Sequence, residues 1–302
     1  MSLRFFPEAF NRLRWHLAVL MGLSAMVIGP LVIAAQGAAS GDLMDVPSPK
    51  LATALRSMIS GVASQGGLTV AVGPRGLILR TEDGGGSWRQ VTSPVSTDLA
   101  TVRFAGPNVV WAVGHDAVAL RSVDGGATWE RMLDGRAVLK LLREAAKGSE
   151  QLEAEIERTM EQSATADVWP APLLDIRFAA DGLTGFAVGG FGLILQTTDG
   201  GKNWQSWQSK ADNDQRFHLY ALTGGDGATF VAGEQGLVMR LNAERQRFER
   251  VETPYNGSFF GIDLLASRLL AYGLRGNAFV SEDAGQSWRK IETGVDANLV
   301  GA

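Results

Sequence analysis

The sequence predicts an all-β fold, a β-propeller of about five four-stranded blades, and three observations support this prediction. A turn motif of the form Ser/Thr-x-Asp-x-Gly-x-x-Trp recurs along the chain, an apolar segment ending in glycine precedes each copy, and the two keep a constant separation. A repeat with a period of about 41 residues is typical of propeller blades.

The turn motif, known as the Asp-box, is present four times, and the apolar segment five times. The separation from glycine to aromatic residue is the same in every unit, as from Gly73 to Trp88. The fourth unit departs from the motif, with Phe248 where the others have tryptophan. The Asp-boxes are Thr81–Trp88, Ser122–Trp129, Thr197–Trp204 and Ser281–Trp288, and the glycines are Gly73, Gly114, Gly189, Gly233 and Gly273. Successive glycines follow one blade period, except between the second and third units, where the chain is longer.

The residue types of the Asp-box indicate a structural role. An aspartate at the head of a tight turn accepts hydrogen bonds from nearby backbone N–H groups, and the tryptophan packs a large apolar face beside the hairpin. Each unit therefore predicts four antiparallel strands, in unit two Leu99–Phe104, Val109–Val113, Val118–Arg121 and Thr128–Met132. The predicted structural residues are Asp83, Trp88, Asp124, Trp129, Asp199, Trp204, Asp283 and Trp288.

Composition excludes several functional classes. Hydrophobic residues make up 45% and charged residues 20% of the 302 residues, an ordinary globular balance. The formal net charge of −4, without a broad basic patch, argues against a nucleic-acid partner. Because the chain has no cysteine, disulfides, thiolate metal sites and cysteine nucleophiles are excluded. We expect no cofactor and no metal.

Residues 1–40 are expected to form a cytoplasmic basic segment and a transmembrane anchor. Arg4, Arg12 and Arg14 precede residues 17–35, which contain no charge. A helix over that segment, at about 1.5 Å per residue, approaches the ~30 Å hydrocarbon core. Arginines in front of such a helix keep its N-terminus in the cytoplasm. We therefore expect a single-pass protein of the inner membrane with its propeller in the periplasm; a cleaved signal peptide is the alternative.

These motifs and their spacing resemble the BNR/Asp-box propellers, most of all the photosystem II stability/assembly factor family and its bacterial relatives. The resemblance covers residues from about 58 to 302, apart from an insertion at 134–170, with residues 41–57 as a linker. Plant and cyanobacterial members of that family have seven blades, whereas this chain has room for about five. A sixth blade would require residues 41–57 and the C-terminus.

The turns between the second and third strands of the blades are predicted to form one face of the propeller, which we call the crown. A varied surface of mixed charge with one aromatic residue favours binding to a protein partner; solvated hairpin tips are the alternative. The candidate partner-binding residues of these crown turns are Arg75, His115, Asp116, Phe191, Gln235 and Arg275.

The insertion between units two and three is predicted to be helical, with a break at Gly148-Ser149 that gives a hairpin. Its apolar residues recur at about 3.5-residue spacing and form a stripe. This stripe is expected either to pack on its own propeller or to form an arm that binds another protein. The candidate partner-binding residues of the arm are Leu142, Leu152, Ile156 and Met160.

Chain connectivity places the insertion, the crown turns and the entry of the N-terminal segment on one face, although a long linker would weaken this inference. Residues 297–301 resemble the start of another first strand and are expected to pair into the first blade and close the ring.

Catalysis is not expected. Sialidases also contain Asp-boxes, but they resemble one another in an arginine triad and a tyrosine nucleophile assisted by glutamate, which the three tyrosines of this chain do not reproduce. We expect a non-enzymatic accessory subunit of an integral membrane complex, which family resemblance suggests is an RND-superfamily transporter of lipids or hydrophobic compounds. A photosystem II assembly factor and an exported glycan-binding or sialidase-like propeller are the alternatives.

Overall fold

The computed structural model describes residues 42–161, 163–225 and 228–301. The predicted basic segment and transmembrane helix lie outside the described residues. Within the described ranges, no helix combines the length and the apolar character needed to cross a bilayer.

The described residues form five four-stranded antiparallel sheets, as predicted, and in each sheet the strands follow one another in chain order. The strands of the first three blades are β1 (Gly61–Gln65), β2 (Leu68–Val72), β3 (Ile78–Thr81), β4 (Arg89–Val91), β5 (Leu99–Gly106), β6 (Val109–Gly114), β7 (Ala119–Ser122), β8 (Glu130–Leu133), β9 (Leu173–Phe178), β10 (Gly185–Gly189), β11 (Ile194–Thr197) and β12 (Gln205–Ser206). Those of the last two are β13 (Leu219–Gly225), β14 (Ala228–Gly233), β15 (Val238–Asn242), β16 (Arg247–Val251), β17 (Phe259–Leu265), β18 (Arg268–Gly273), β19 (Ala278–Ser281) and β20 (Arg289–Ile291).

The first strand of each blade is innermost, and these strands pack in the order β1, β5, β9, β13, β17. Within the described residues, no comparable packing joins β17 to β1. Residues 42–57 contain no strand, so they do not supply a sixth blade. The described chain is therefore an arc of five blades.

Apolar and aromatic side chains fill the space between neighbouring blades. Trp111 of the second blade stacks on Phe178 of the third at 5.1 Å between ring centroids. Phe186 and Phe248 meet edge to face at 5.1 Å between the third and fourth blades. Burial of one such side chain stabilises the fold by about 1.5–3 kcal/mol. Phe248 is fully buried, which explains why the fourth unit keeps an aromatic residue although it lacks the rest of the Asp-box.

Polar contacts at the centre join the blades more specifically. Asp175 on β9 is 2% exposed and binds Arg103 on β5 through both carboxylate oxygens, at 3.0 and 3.1 Å. The same carboxylate accepts the backbone N–H of Leu222 on β13 at 2.8 Å. Thr223 continues the series, because its hydroxyl accepts the N–H of Leu264 on β17 at 3.0 Å. These bonds link the second, third, fourth and fifth blades.

The Asp-box aspartates hold their own turns. Asp199 accepts the backbone N–H of Asn203 at 2.9 Å, its side-chain amide at 2.7 Å and the hydroxyl of Thr197 at 2.9 Å. Asp283 makes the corresponding bonds to Ser287 and Ser281. Hydrogen bonds to the charged form favour it. Those from Asn203 lower the pKa of Asp199 to about 2, and those from Ser287 lower the pKa of Asp283 to about 2.

The insertion folds into two helices, α1 (Gly135–Ala146) and α2 (Glu150–Met160), which we call the arm. Asp134 caps α1 by accepting the N–H groups of Arg136 and Ala137. Ser149 caps α2 and so ends the hairpin turn at the position that the sequence predicts.

The predicted pairing of residues 297–301 with the first blade is wrong. Leu299 donates its N–H to the carbonyl of Gly273 at 2.9 Å, and the Asn298 side chain accepts the N–H of Arg275 at 3.0 Å. Asp98 and Leu99 make the same two bonds to the crown turn of the first blade. The C-terminal residues thus occupy the place of a following first strand, beside the fifth blade.

We predict that Asp175→Ala lowers the free energy of unfolding by roughly 2 to 3 kcal/mol, because it leaves Arg103 and the Leu222 N–H without their acceptor. Urea unfolding measures this value. Asp296→Ala, which changes an exposed aspartate in the same way, is the matched control and should cost less than about 0.5 kcal/mol. Equal losses in the two variants would contradict the role of Asp175.

The Asp-boxes predict a pH dependence of stability. A carboxylate whose folded pKa lies below its unfolded value of 3.8 stabilises the protein above that pH and loses its effect as the pH falls toward 2. Asp199→Asn should therefore lower the melting temperature most above about pH 4, and the difference from wild type should close near pH 2. A difference that stays constant from pH 7 to pH 2 would contradict this account.

Candidate partner-binding surface

The crown turns share one strained backbone conformation. The residue at the tip of each turn has a positive φ although it is not glycine: Arg75 (57°), Asp116 (54°), Phe191 (53°), Gln235 (53°) and Arg275 (54°). This left-handed conformation costs about 1 kcal/mol or more for such residues, and turns of this kind usually contain Asn-Gly. Strained positions of this type cluster at functional sites. All five are among the candidate residues predicted from the sequence.

The residue that follows the tip shows how these turns pack against the connection to the next blade. A Cβ atom at Gly236 would lie 1.8 Å from the carbonyl oxygen of Tyr255, and one at Gly276 would lie 1.7 Å from that of Val295. The connection to the next blade therefore folds tightly over these two turns, as it does over Gly76 in the first blade. In the second blade this position is Ala117, which is buried against the arm, because the chain there continues into α1.

The crown residues differ in exposure. Arg75, His115, Gln235 and Arg275 are exposed, whereas Asp116 and Phe191 are half-buried. Burial and the nearby Asp42 raise the pKa of Asp116. The exposed residues present three different side-chain chemistries, cationic, imidazole and amide, on one face.

An aromatic row that was not predicted from the sequence extends this surface. Phe191 lies 5.3 Å from His218, His218 lies 6.4 Å from Tyr220, and Tyr220 lies 5.3 Å from Phe260, measured between ring centroids. The row runs from the crown turn of the third blade to the crown ends of the first strands of the fourth and fifth blades. The sequence feature that indicates this row is an alternation of core and non-core residues, since Leu219 lies in the core and its two neighbours do not.

Tyr220 and Glu234 bear on the glycosidase alternative. The Tyr220 hydroxyl donates to Glu234 Oε1 at 3.4 Å, and Glu234 also accepts the N–H of His218 at 2.8 Å. Burial, together with the Glu234 charge, raises the pKa of Tyr220 to about 12. The raised pKa disfavours the phenolate, whereas the hydrogen bond from a tyrosine to a glutamate is the nucleophile-and-base pair that the sialidase resemblance implies.

The arm packs on its own propeller, the first of the two arrangements that the sequence left open. Leu142 is 2% and Ile156 8% exposed, and both belong to a core cluster with Trp111 and Leu173. Leu152 and Met160 are half-buried at its edge. In this arrangement Leu142 and Ile156 pack mainly on the propeller, and each also borders a cleft beside the arm.

The first part of the predicted 41–57 linker, residues 42–48, is bonded to the propeller, and we call it the entry segment. Ser96 donates its N–H to Leu43 and Ser48 donates to Ser93, at 2.8 and 2.9 Å. Met44 is 1% exposed. Arg136, at the start of α1, forms ion pairs with the entry-segment residues Asp42 and Asp45. The entry segment is therefore attached to the crown face at the base of the arm.

Known proteins match the same part of the chain. A family profile described as photosynthesis system II assembly factor YCF48 matches residues 58–138 and 162–289. The chain belongs to this family. Residues 139–161, most of the arm, fall outside the match.

One curated relative matches part of the chain at low identity. The photosystem II assembly lipoprotein Ycf48 of Synechococcus sp. (strain CC9902) is 29% identical over 124 residues, which make up 40% of this chain and 37% of that protein. The chain thus matches little more than a third of the length of this curated relative.

Two solved structures show the same fold. A structure of YCF48 bound to D1 peptide has a TM-score of 0.53 at 17% identity, over 78% of this chain and 67% of that one. The GH74 xyloglucanase from Xanthomonas campestris has a TM-score of 0.54 at 14% identity, over 78% and 38%. At these identities the likeness establishes the fold alone.

The close approach at the crown turns predicts a large cost for Gly236→Ala. Its Cβ would overlap the Tyr255 carbonyl, so the free energy of unfolding should fall by roughly 2 kcal/mol more than in Gly66→Ala. Gly66 is the matched control, since it also has a positive φ (62°) but no neighbouring atom within 4 Å of a Cβ. Equal losses by urea unfolding would mean that φ strain alone decides the turn.

Proposed function

We propose that the chain is a non-enzymatic assembly factor that binds a polypeptide segment of a membrane protein through its crown face. This proposal rests on the crown residues with a positive φ. Glycine would adopt the same backbone conformation without strain, so the fold does not require the side chains at these positions. This arrangement keeps varied side chains at the cost of stability, as expected for a binding surface.

Membership in the YCF48 family supports assembly rather than transport. The curated relative is a photosystem II assembly lipoprotein, and one solved YCF48 structure is of the protein bound to D1 peptide. These findings favour a photosystem II type of assembly factor over the predicted subunit of an RND-superfamily transporter. The transporter partner has no support from the comparisons and stays a prediction.

We also propose that the propeller is held at the inner membrane, in the periplasm, by residues 17–35. The charge-free segment at 17–35, preceded by arginines, supports this proposal.

Glycan binding is a second candidate, and the aromatic row from Phe191 to Phe260 favours it, because sugars stack on aromatic rings. The GH74 likeness adds only the shared fold.

The test is affinity purification of the full chain from gently solubilised membranes, with mass spectrometry of the proteins that accompany it. We expect one integral membrane protein to co-purify and to be lost at least tenfold in the double variant Arg75→Glu, Arg275→Glu, because this change reverses the charge of both exposed crown arginines.

The matched control is Arg89→Glu, Arg289→Glu, which reverses two exposed arginines in the same two blades, on their outermost strands. This control should retain the partner. Elution of the wild-type chain without a membrane protein, together with specific binding or hydrolysis of a glycan, would overturn the proposal.

A further inference from the structure

A cleft of about 280 Å³ lies between the arm and the third blade. Both arm helices line one side, and the crown residue Phe191 with Trp169 and Arg216 lines the other. Leu142, Leu152 and Ile156 give it an apolar wall. The cleft opens on the crown face, since Phe191 is at the tip of a crown turn.

Two residues of this cleft have a strained backbone. Phe191 and Arg216 both have a positive φ, 53° and 55°. Arg216 is held by a two-point ion pair with Glu155 of α2 and donates to the Gln208 carbonyl at 3.2 Å. The ion pair therefore connects the arm to the propeller at the edge of the cleft.

The cleft is built largely from the part of the chain that its family does not share. Its arm residues, from Leu142 to Thr159, belong to the segment that the family profile does not match. The peptide-binding mode of other family members therefore does not account for it.

The size and the rim of the cleft indicate its occupant. Small-molecule sites typically enclose about 300–1,000 Å³, so this volume is at or below the lower end of that range. Protein interfaces concentrate their energy in pockets that take one large side chain, surrounded by a polar rim. At the rim, Arg158 forms no ion pair with any described residue, whereas Glu155 already neutralises Arg216.

We infer that the cleft receives one large apolar side chain of the partner polypeptide, next to an acidic residue that pairs with Arg158. This inference rests on the proposed function and specifies the partner segment, which should contain an aromatic or large aliphatic residue beside aspartate or glutamate. The arm thus acts in binding as one wall of this cleft.

Photo-crosslinking tests the inference in the full chain. A benzophenone amino acid replaces exposed Ser209 at the cleft, and in a matched variant it replaces Lys140, an exposed residue of α1 that does not line the cleft. We expect the Ser209 probe, and not the Lys140 probe, to crosslink the co-purifying membrane protein at a segment with the predicted residues.

Charge reversal gives a second measurement. Arg158→Glu should weaken retention of the partner about tenfold, whereas Lys140→Glu, the same charge change on the same arm, should leave it unchanged. Both residues are exposed, so neither change should unfold the protein, and far-UV circular dichroism checks this.

The outcomes separate this inference from the proposed function. If wild type retains a membrane protein that neither crosslinks to position 209 nor responds to Arg158→Glu, the cleft inference is wrong and the proposed function stands. If wild type retains no membrane protein, both fail. A crosslink to a small molecule instead of a polypeptide also overturns the inference.

Discussion

The buried carboxylate of Asp175 joins three blades at the centre of the propeller, and the geometry of the rest depends on that junction. Blades of a propeller share no backbone ladder, so apolar packing alone would set their relative angle. Packing is not directional, whereas a bidentate bond to Arg103 and a backbone bond to Leu222 are. The same contact raises the pKa of Arg103, because the Asp175 carboxylate stabilises the charged guanidinium. The direction in which each crown turn points follows from these angles.

The arm interrupts the repeat without separating the neighbouring blades. It replaces the connection between the second and third blades, so the innermost strands β5 and β9 still pack directly. Its own apolar stripe is covered by the propeller, with Val138 fully buried. The crown-turn position that holds glycine in the other blades is alanine in this one, Ala117. The following chain does not fold tightly over this turn, so a Cβ atom fits there. An insertion thus alters the crown locally while the central contacts stay intact.

The sequence predicts the blades well because their signals are local. The constant separation between glycine and aromatic residue is the length of one hairpin and its turn, so it recurs wherever the same hairpin does. The C-terminal pairing was wrong because residues 297–301 show only that a first strand begins, and not which neighbour it meets. Asp175 could not be predicted from its surroundings in sequence, since its partners are 72 and 47 residues away. His218 and Phe260 were missed for a similar reason: their row exists only after three blades come together.

Positive φ values are met by different residue types in the two kinds of turn. The Asp-boxes have glycine or alanine where they need a positive φ, as at Gly85, Gly201 and Ala284, and their aspartates are used up by hydrogen bonds within the turn. The crown turns instead place arginine, aspartate, phenylalanine and glutamine in the same left-handed conformation. Five such positions, at about 1 kcal/mol or more each, equal a large part of the roughly 5–15 kcal/mol that stabilises a typical domain. Selection for stability alone would replace them with glycine or asparagine. The varied side chains at these strained positions support the proposed binding role of the crown face.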